Sequence, residues 1–204
     1  RQGNYPLAQN YFTPAIQLQP DNAVAYYSRG VTKSNLKDNR GAINDFDKAI
    51  ELNPRYSDAY IGRGTSKARQ ENHKGALQDY NRGIDLNPVD ANAYFSRGYS
   101  KSKLENYKGA LSDYNKSLDL TPDNALGYAA RGVVKQKLED YKGSLEDFSK
   151  AIELSPKRPS SYSGRAYSKM KMGDYKGAIA DYGEALEISP EDAESLYFRG
   201  YCKS

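Results

Sequence analysis

From residue 107 onward, apolar and small residues fall at Tyr107, Ala110, Leu111, Tyr114, Ser117 and Leu118. Steps of three and four place all of them on one face of an α-helix. Asn106 stands just before this stretch, and the equivalent slots of the chain hold Asn4, Asp38, Asn72, Asp140 and Asp174. A short polar side chain there accepts from the free amides of a first helical turn, so each predicts a helix start. Each helix runs toward a proline, which cannot continue the amide ladder. These prolines, Pro20, Pro54, Pro88, Pro122, Pro156 and Pro190, recur every 34 residues without a slip. A fixed period of that length predicts a tandem array of helix–turn–helix units, not one irregular core.

A first helix precedes each of these. In residues 91–124 it is predicted from Ala91 to about Leu104, starting after Asp90, with Asn22, Asn124 and Asp192 in the same slot elsewhere. Its middle holds Gly98, matched by Gly30, Gly64, Gly132 and Gly200, with Ala166 as the variant. A mid-helix glycine costs about 1 kcal/mol relative to alanine. The column therefore predicts a close crossing, opposite the small residues Ala42, Ala76, Ala110, Ser144 and Ala178 of the second helices. The complete units are 23–56, 57–90, 91–124, 125–158 and 159–192. Residues 1–20 read as a second helix alone, and 193–204 as a first helix alone.

Tyr94, Gly98, Ala110, Tyr114 and Pro122 match the signature of the tetratricopeptide repeat family, with equivalents in every full unit. The chain resembles that family over essentially its whole length. The resemblance implies an all-α fold, a right-handed α-solenoid of stacked antiparallel helix pairs forming one array over 1–204. It also implies a non-enzymatic scaffold for protein interactions. Three columns depart from the family pattern and mark a subtype. Tyrosine replaces the usual tryptophan at Tyr26, Tyr60, Tyr94, Tyr128 and Tyr162. Arginine precedes the glycine, where leucine is common. Lysine stands three residues after it, where an aromatic is common, at Lys33, Lys67, Lys101, Lys135, Lys169 and Lys203.

The arginines co-occur with aspartates that precede the second-helix aromatic: Arg29 with Asp45, Arg63 with Asp79, Arg97 with Asp113, Arg131 with Asp147 and Arg165 with Asp181. The planar guanidinium fork suits a carboxylate, so the paired columns predict structural ion pairs between helices, within a unit or across to the next.

In the resembled family the first helices line the concave surface, which implies a groove on their second stripe. Here that stripe reads Tyr27 and Val31, Ile61 and Thr65, Phe95 and Tyr99, Ala129 and Val133, Ser163 and Tyr167, then Tyr197 and Tyr201. A basic rail, Arg69, Lys103, Lys137 and Lys171, runs beside it. Such a surface suits a protein or peptide partner with apolar anchors and acidic character. The alternatives are a nucleic-acid binder that stacks bases on the tyrosines, or a regulatory arm of a larger enzyme. The family's carboxylate clamp of Asn and Lys is not matched, since the slots hold Tyr27, Val31 and Gly62.

Composition narrows this further. Of 204 residues, 38% are hydrophobic, and 19 tyrosines stand against five phenylalanines and no tryptophan. That fits an elongated body whose rings keep a hydroxyl in water or on a polar partner. The net charge of +4, from 30 basic and 26 acidic residues, does not by itself imply nucleic acid. One cysteine allows no intrachain disulfide and leaves the compartment open. No apolar run reaches membrane-spanning length, so no membrane insertion is expected. His73 takes an aromatic slot and Cys202 a small-residue slot, which reads as packing for both. No metal-ligand spacing or phosphate loop is visible, so neither cofactor nor catalysis is expected. Leu196 and Gly200 lack a covering helix, and this predicts end-to-end homo-oligomers through uncapped terminal repeats.

Overall fold

A polar side chain closes the first turn of nearly every second helix. Asp38, Asn72, Asn106, Asp140 and Asp174 accept from the backbone N–H of Gly41, Gly75, Gly109, Gly143 and Gly177 at 2.9–3.0 Å. The computed structural model describes residues 5–204, and side chains from Phe12 onward; Asn4 lies outside the described residues. The described residues form twelve helices and no strand.

Two compact units result, residues 1–104 and 105–204. The first holds α1 (Tyr5–Leu18), α2 (Ala23–Asn35), α3 (Asn39–Leu52), α4 (Ser57–Arg69), α5 (His73–Leu86) and α6 (Ala91–Lys103). The second holds α7 (Tyr107–Leu120), α8 (Ala125–Lys137), α9 (Tyr141–Leu154), α10 (Pro159–Lys171), α11 (Tyr175–Ile188) and α12 (Ala193–Tyr201). Within each unit every helix packs on the next. First helices also touch one another, α2 with α4, α4 with α6 and α8 with α10.

The first-helix caps are less regular than expected. Asn22, Asp90 and Asn124 accept from the first turn, but Asp192 makes no cap bond. Its carboxylate accepts from the Ser195 hydroxyl at 2.5 Å instead.

The glycine column meets the expected small residue at Gly64, where a Cβ would lie 3.2 Å from the Ala76 carbonyl, but its nearest neighbour is an aromatic ring. A Cβ on Gly30 would come within 2.9 Å of the Phe46 ring, one on Gly64 within 2.9 Å of the Tyr80 ring, and one on Gly132 within 3.1 Å of the Phe148 ring. The helices approach closely because a second-helix aromatic fills the space, while Ala42, Ala76 and Ala178 are fully buried beside it. The next unit adds a second wall: Gly62 faces Phe46, and Gly164 faces Phe148. Burying such a ring contributes about 1.5–3 kcal/mol.

Candidate functional site

Two side-chain systems repeat along the chain, one that joins helices and one that shapes open surface. In the first, Arg29 donates through Nε and Nη2 to Asp45 Oδ2 and Oδ1 at 2.9 and 2.7 Å. Arg63 grips Asp79 at 3.0 and 2.5 Å, Arg131 grips Asp147 at 2.9 and 2.6 Å, and Arg165 grips Asp181 at 2.8 and 2.7 Å. Arg97 and Asp113 belong to different units.

The lysine column, read from the sequence only as a departure from an aromatic, belongs to the same system. Lys33, Lys67, Lys135 and Lys169 reach the same four aspartates at 2.8–2.9 Å. The tyrosine column joins it too, because each of these arginines lies over the ring three residues earlier, 5.3–5.9 Å from its centre. The third guanidinium nitrogen, Nη1, turns to the preceding second helix. It meets Asp47 from Arg63 at 2.6 Å, Asn81 from Arg97 and Asn115 from Arg131 at 2.9 Å, and Ser149 from Arg165 at 3.4 Å. All four aspartates are buried. Hydrogen bonds to Asp45, Asp147 and Asp181, working against desolvation, push the guanidinium pKa of Arg29, Arg131 and Arg165 further up.

The second system is the surface between first helices. Val31, Thr65 and Arg69 line a 150 Å³ cavity with Ser34, Asn35, Phe46 and Gly62. Thr65, Arg69, Phe95 and Tyr99 line another of 240 Å³, backed by Tyr80. In the second unit Val133, Lys137 and Tyr167 line a 360 Å³ cavity with Gln136, Phe148, Ser160, Ser163, Gly164, Tyr182 and Glu194. Tyr99 and Val133 are 45% and 44% exposed.

The remaining expected floor and rail residues divide between packed and exposed positions. The Tyr27 ring packs on Phe46 and Tyr56 at 5.8 and 4.9 Å, partly buried against the core, and burial pushes its phenol pKa up. Ile61 lies against Gly83 of α5, where a Cβ would meet it at 2.7 Å. Arg69 is not a loose rail charge, since its Nη1 donates to the Ser34 carbonyl and hydroxyl at 2.8 and 2.7 Å. There it adds a charged donor to a carbonyl at the C-terminal end of α2 that also accepts from the Lys37 N–H at 3.2 Å. Lys103 and Lys171 sit over the rings of Tyr99 and Tyr167 at 5.5 Å. Lys137, Tyr197 and Tyr201 stand exposed.

His73 is buried, with Nδ1 3.3 Å from Ser100 Oγ and Nε2 3.2 Å from Glu71 Oε2. Cys202 packs beside the core of α10 and α11, and burial pushes its thiol pKa up. Among the described residues no three His, Cys, Asp or Glu side chains converge on a metal position, and no helix is long and apolar enough to cross a membrane.

Models described as tetratricopeptide repeat match residues 23–56, 62–125 and 125–158, and one described as TPR repeat matches 166–202. The chain belongs to the tetratricopeptide repeat family, a family of protein-interaction scaffolds. A search of curated protein sequences gave no match. Among solved structures, YrrB, described as a TPR protein with an unusual peptide-binding site, superposes with a TM-score of 0.81 at 20% identity, covering 95% of this chain and 100% of that one. The pilF protein of Pseudomonas aeruginosa gives 0.78 at 20% identity, covering 86% and 80%. MamA of Desulfovibrio magneticus RS-1 gives 0.77 at 17% identity, covering 84% and 97%. At these identities the likeness shows the fold.

Proposed function

We propose that the chain is a non-catalytic scaffold that holds a partner peptide against its first helices. In the first unit Val31, Thr65, Phe95 and Tyr99 receive apolar side chains, and in the second Val133 and Tyr167 do so. Lys103, Lys137 and Lys171 then face acidic residues of the same partner. The carrying observation is that side chains from neighbouring first helices meet around open cavities of 150–360 Å³. The arginine column, by contrast, is engaged with buried aspartates. Exposed aromatics beside polar groups suit peptide anchoring. YrrB, which has the same fold, is described as having an unusual peptide-binding site.

The test is capture of partners from a lysate on immobilised protein, comparing wild type with Tyr99→Ala/Lys103→Glu and with Val133→Glu. Each change lies on exposed surface, so circular dichroism melting should stay within about 0.5 kcal/mol of wild type. A partner retained equally by wild type and both variants contradicts the groove.

A further inference from the structure

The second helices carry an aromatic at one fixed slot: Phe46, Tyr80, Tyr114, Phe148 and Tyr182. The Tyr80 hydroxyl is satisfied, donating to Thr65 Oγ1 at 3.3 Å, and Ser96 and Ser100 are the polar residues of the next first helix, α6, on this side. Around Tyr182 those three positions are held by Tyr167, Phe198 and Cys202. The Tyr182 ring stacks on Phe198 at 6.1 Å. Tyr182 is 1% exposed and its hydroxyl has no hydrogen-bond partner among the described residues. A buried unpaired hydroxyl is destabilising, and packing does not require it, because Phe46 and Phe148 fill the same slot without one. Tyr182 also lines the 360 Å³ cavity, together with the rings of Phe148 and Tyr167.

We propose that this cavity is a side-chain subsite for a tyrosine of the partner peptide, whose phenolic oxygen accepts the hydrogen of the Tyr182 hydroxyl. The proposal rests on the groove reading above and gives that groove a side-chain preference. Three of the ten lining residues are aromatic, and the half-buried Tyr167 gives a ligand ring an edge or offset partner. A neutral tip is favoured because a carboxylate here would lose its hydration. Lys137 and Glu194 both line the cavity, so neither sign of charge is preferred. Desolvation holds the Tyr182 phenol well above its ordinary pKa, which keeps it a donor at neutral pH.

The test uses the whole chain and three probes: N-acetyl-tyrosinamide, N-acetyl-phenylalaninamide and the α-amide of N-acetyl-glutamate. Binding is followed by NMR through the Val133 methyl and Phe148 ring signals. The tyrosine probe should bind wild type about three- to tenfold tighter than the phenylalanine probe, the range of one net hydrogen bond. In Tyr182→Phe that preference should vanish, while the melting temperature stays level or rises. Equal affinity of the two aromatic probes with Val133 still shifting overturns the tyrosine subsite and leaves the groove standing. A silent Val133 with every probe overturns both in this unit. Tightest binding by the glutamate probe overturns the subsite in favour of an anion site on Lys137. A melting temperature that falls in Tyr182→Phe also overturns it, since the hydroxyl would then already have a partner inside the protein.

Discussion

One aspartate per network accepts from two cations, and that sharing sets its mutational sensitivity. Asp147 is buried between Arg131 and Lys135, whose side chains are 19% and 17% exposed. Asp147→Ala removes the one carboxylate both cations share, leaving Arg131 with Asn115 and Lys135 with the Gly143 carbonyl, and should lower unfolding free energy by about 2–4 kcal/mol in urea denaturation. The period made the arginine and aspartate columns legible as partners. The lysine was missed because its slot was compared with a family aromatic. The available signal was its place four residues after each arginine, one helical turn away on the same face. A second residue-scale consequence concerns alkaline pH. Burial raises the phenol pKa of Tyr80 and Tyr182 above the ordinary 10.0. In the unfolded chain these phenols release their protons near pH 10, while the folded chain keeps them. The unfolded state then binds fewer protons, so stability present below pH 10 is lost as pH rises above it. Each tyrosine contributes at most about 1.4 kcal/mol per pH unit. Tyr182→Phe should flatten the decline of melting temperature between pH 9.5 and 11.5; an unchanged decline contradicts the shift.

Helix interiors separate two kinds of glycine. At Gly64 a Cβ would press on the Tyr80 ring at 2.9 Å and on the Ala76 carbonyl at 3.2 Å. Gly64→Ala should therefore destabilise by about 1–3 kcal/mol. Beyond its own helical turn, Gly183 in α11 has no described atom within 4 Å of its would-be Cβ. Gly183→Ala should stabilise by up to about 1 kcal/mol, because alanine is the better helix former. Thermal melts of the two variants should move in opposite directions. The 3.6-residue periodicity, the prolines and the caps made the helices legible. What the glycines face was not, because a column's neighbour depends on how two helices cross. The Asp192 cap failed for a local reason, since a serine three residues on competes for the carboxylate.

At the scale of the whole chain, each of the two units is built from one recurring plan. The proposed groove was only partly legible. Helical periodicity picked out the stripe and the family resemblance implied its place on a groove; within it Tyr99 and Val133 are exposed. It could not tell that Tyr27 turns inward to Tyr56, or that Arg69 reaches back to Ser34. Ionic strength separates the networks from any charged ligand contact. Buried pairs are screened less than exposed ones. Raising salt from 0.05 to 0.5 M should leave the melting temperature nearly level, while capture of an acidic partner weakens. A melting temperature that falls steeply with salt contradicts the buried networks.

The direction in which each arginine points has an evolutionary corollary. Nε and Nη2 of Arg131 stay with Asp147 inside residues 125–158, and Nη1 alone looks backward, to Asn115. A duplicated copy of 125–158 inserted after residue 158 would bring its own acid with its bases. It would need from its predecessor only a small acceptor, which Ser149 already offers Arg165. Lengthening the array by whole 34-residue insertions is thus electrostatically self-sufficient, whereas an insertion that cut between Arg131 and Asp147 would strand the charge of both.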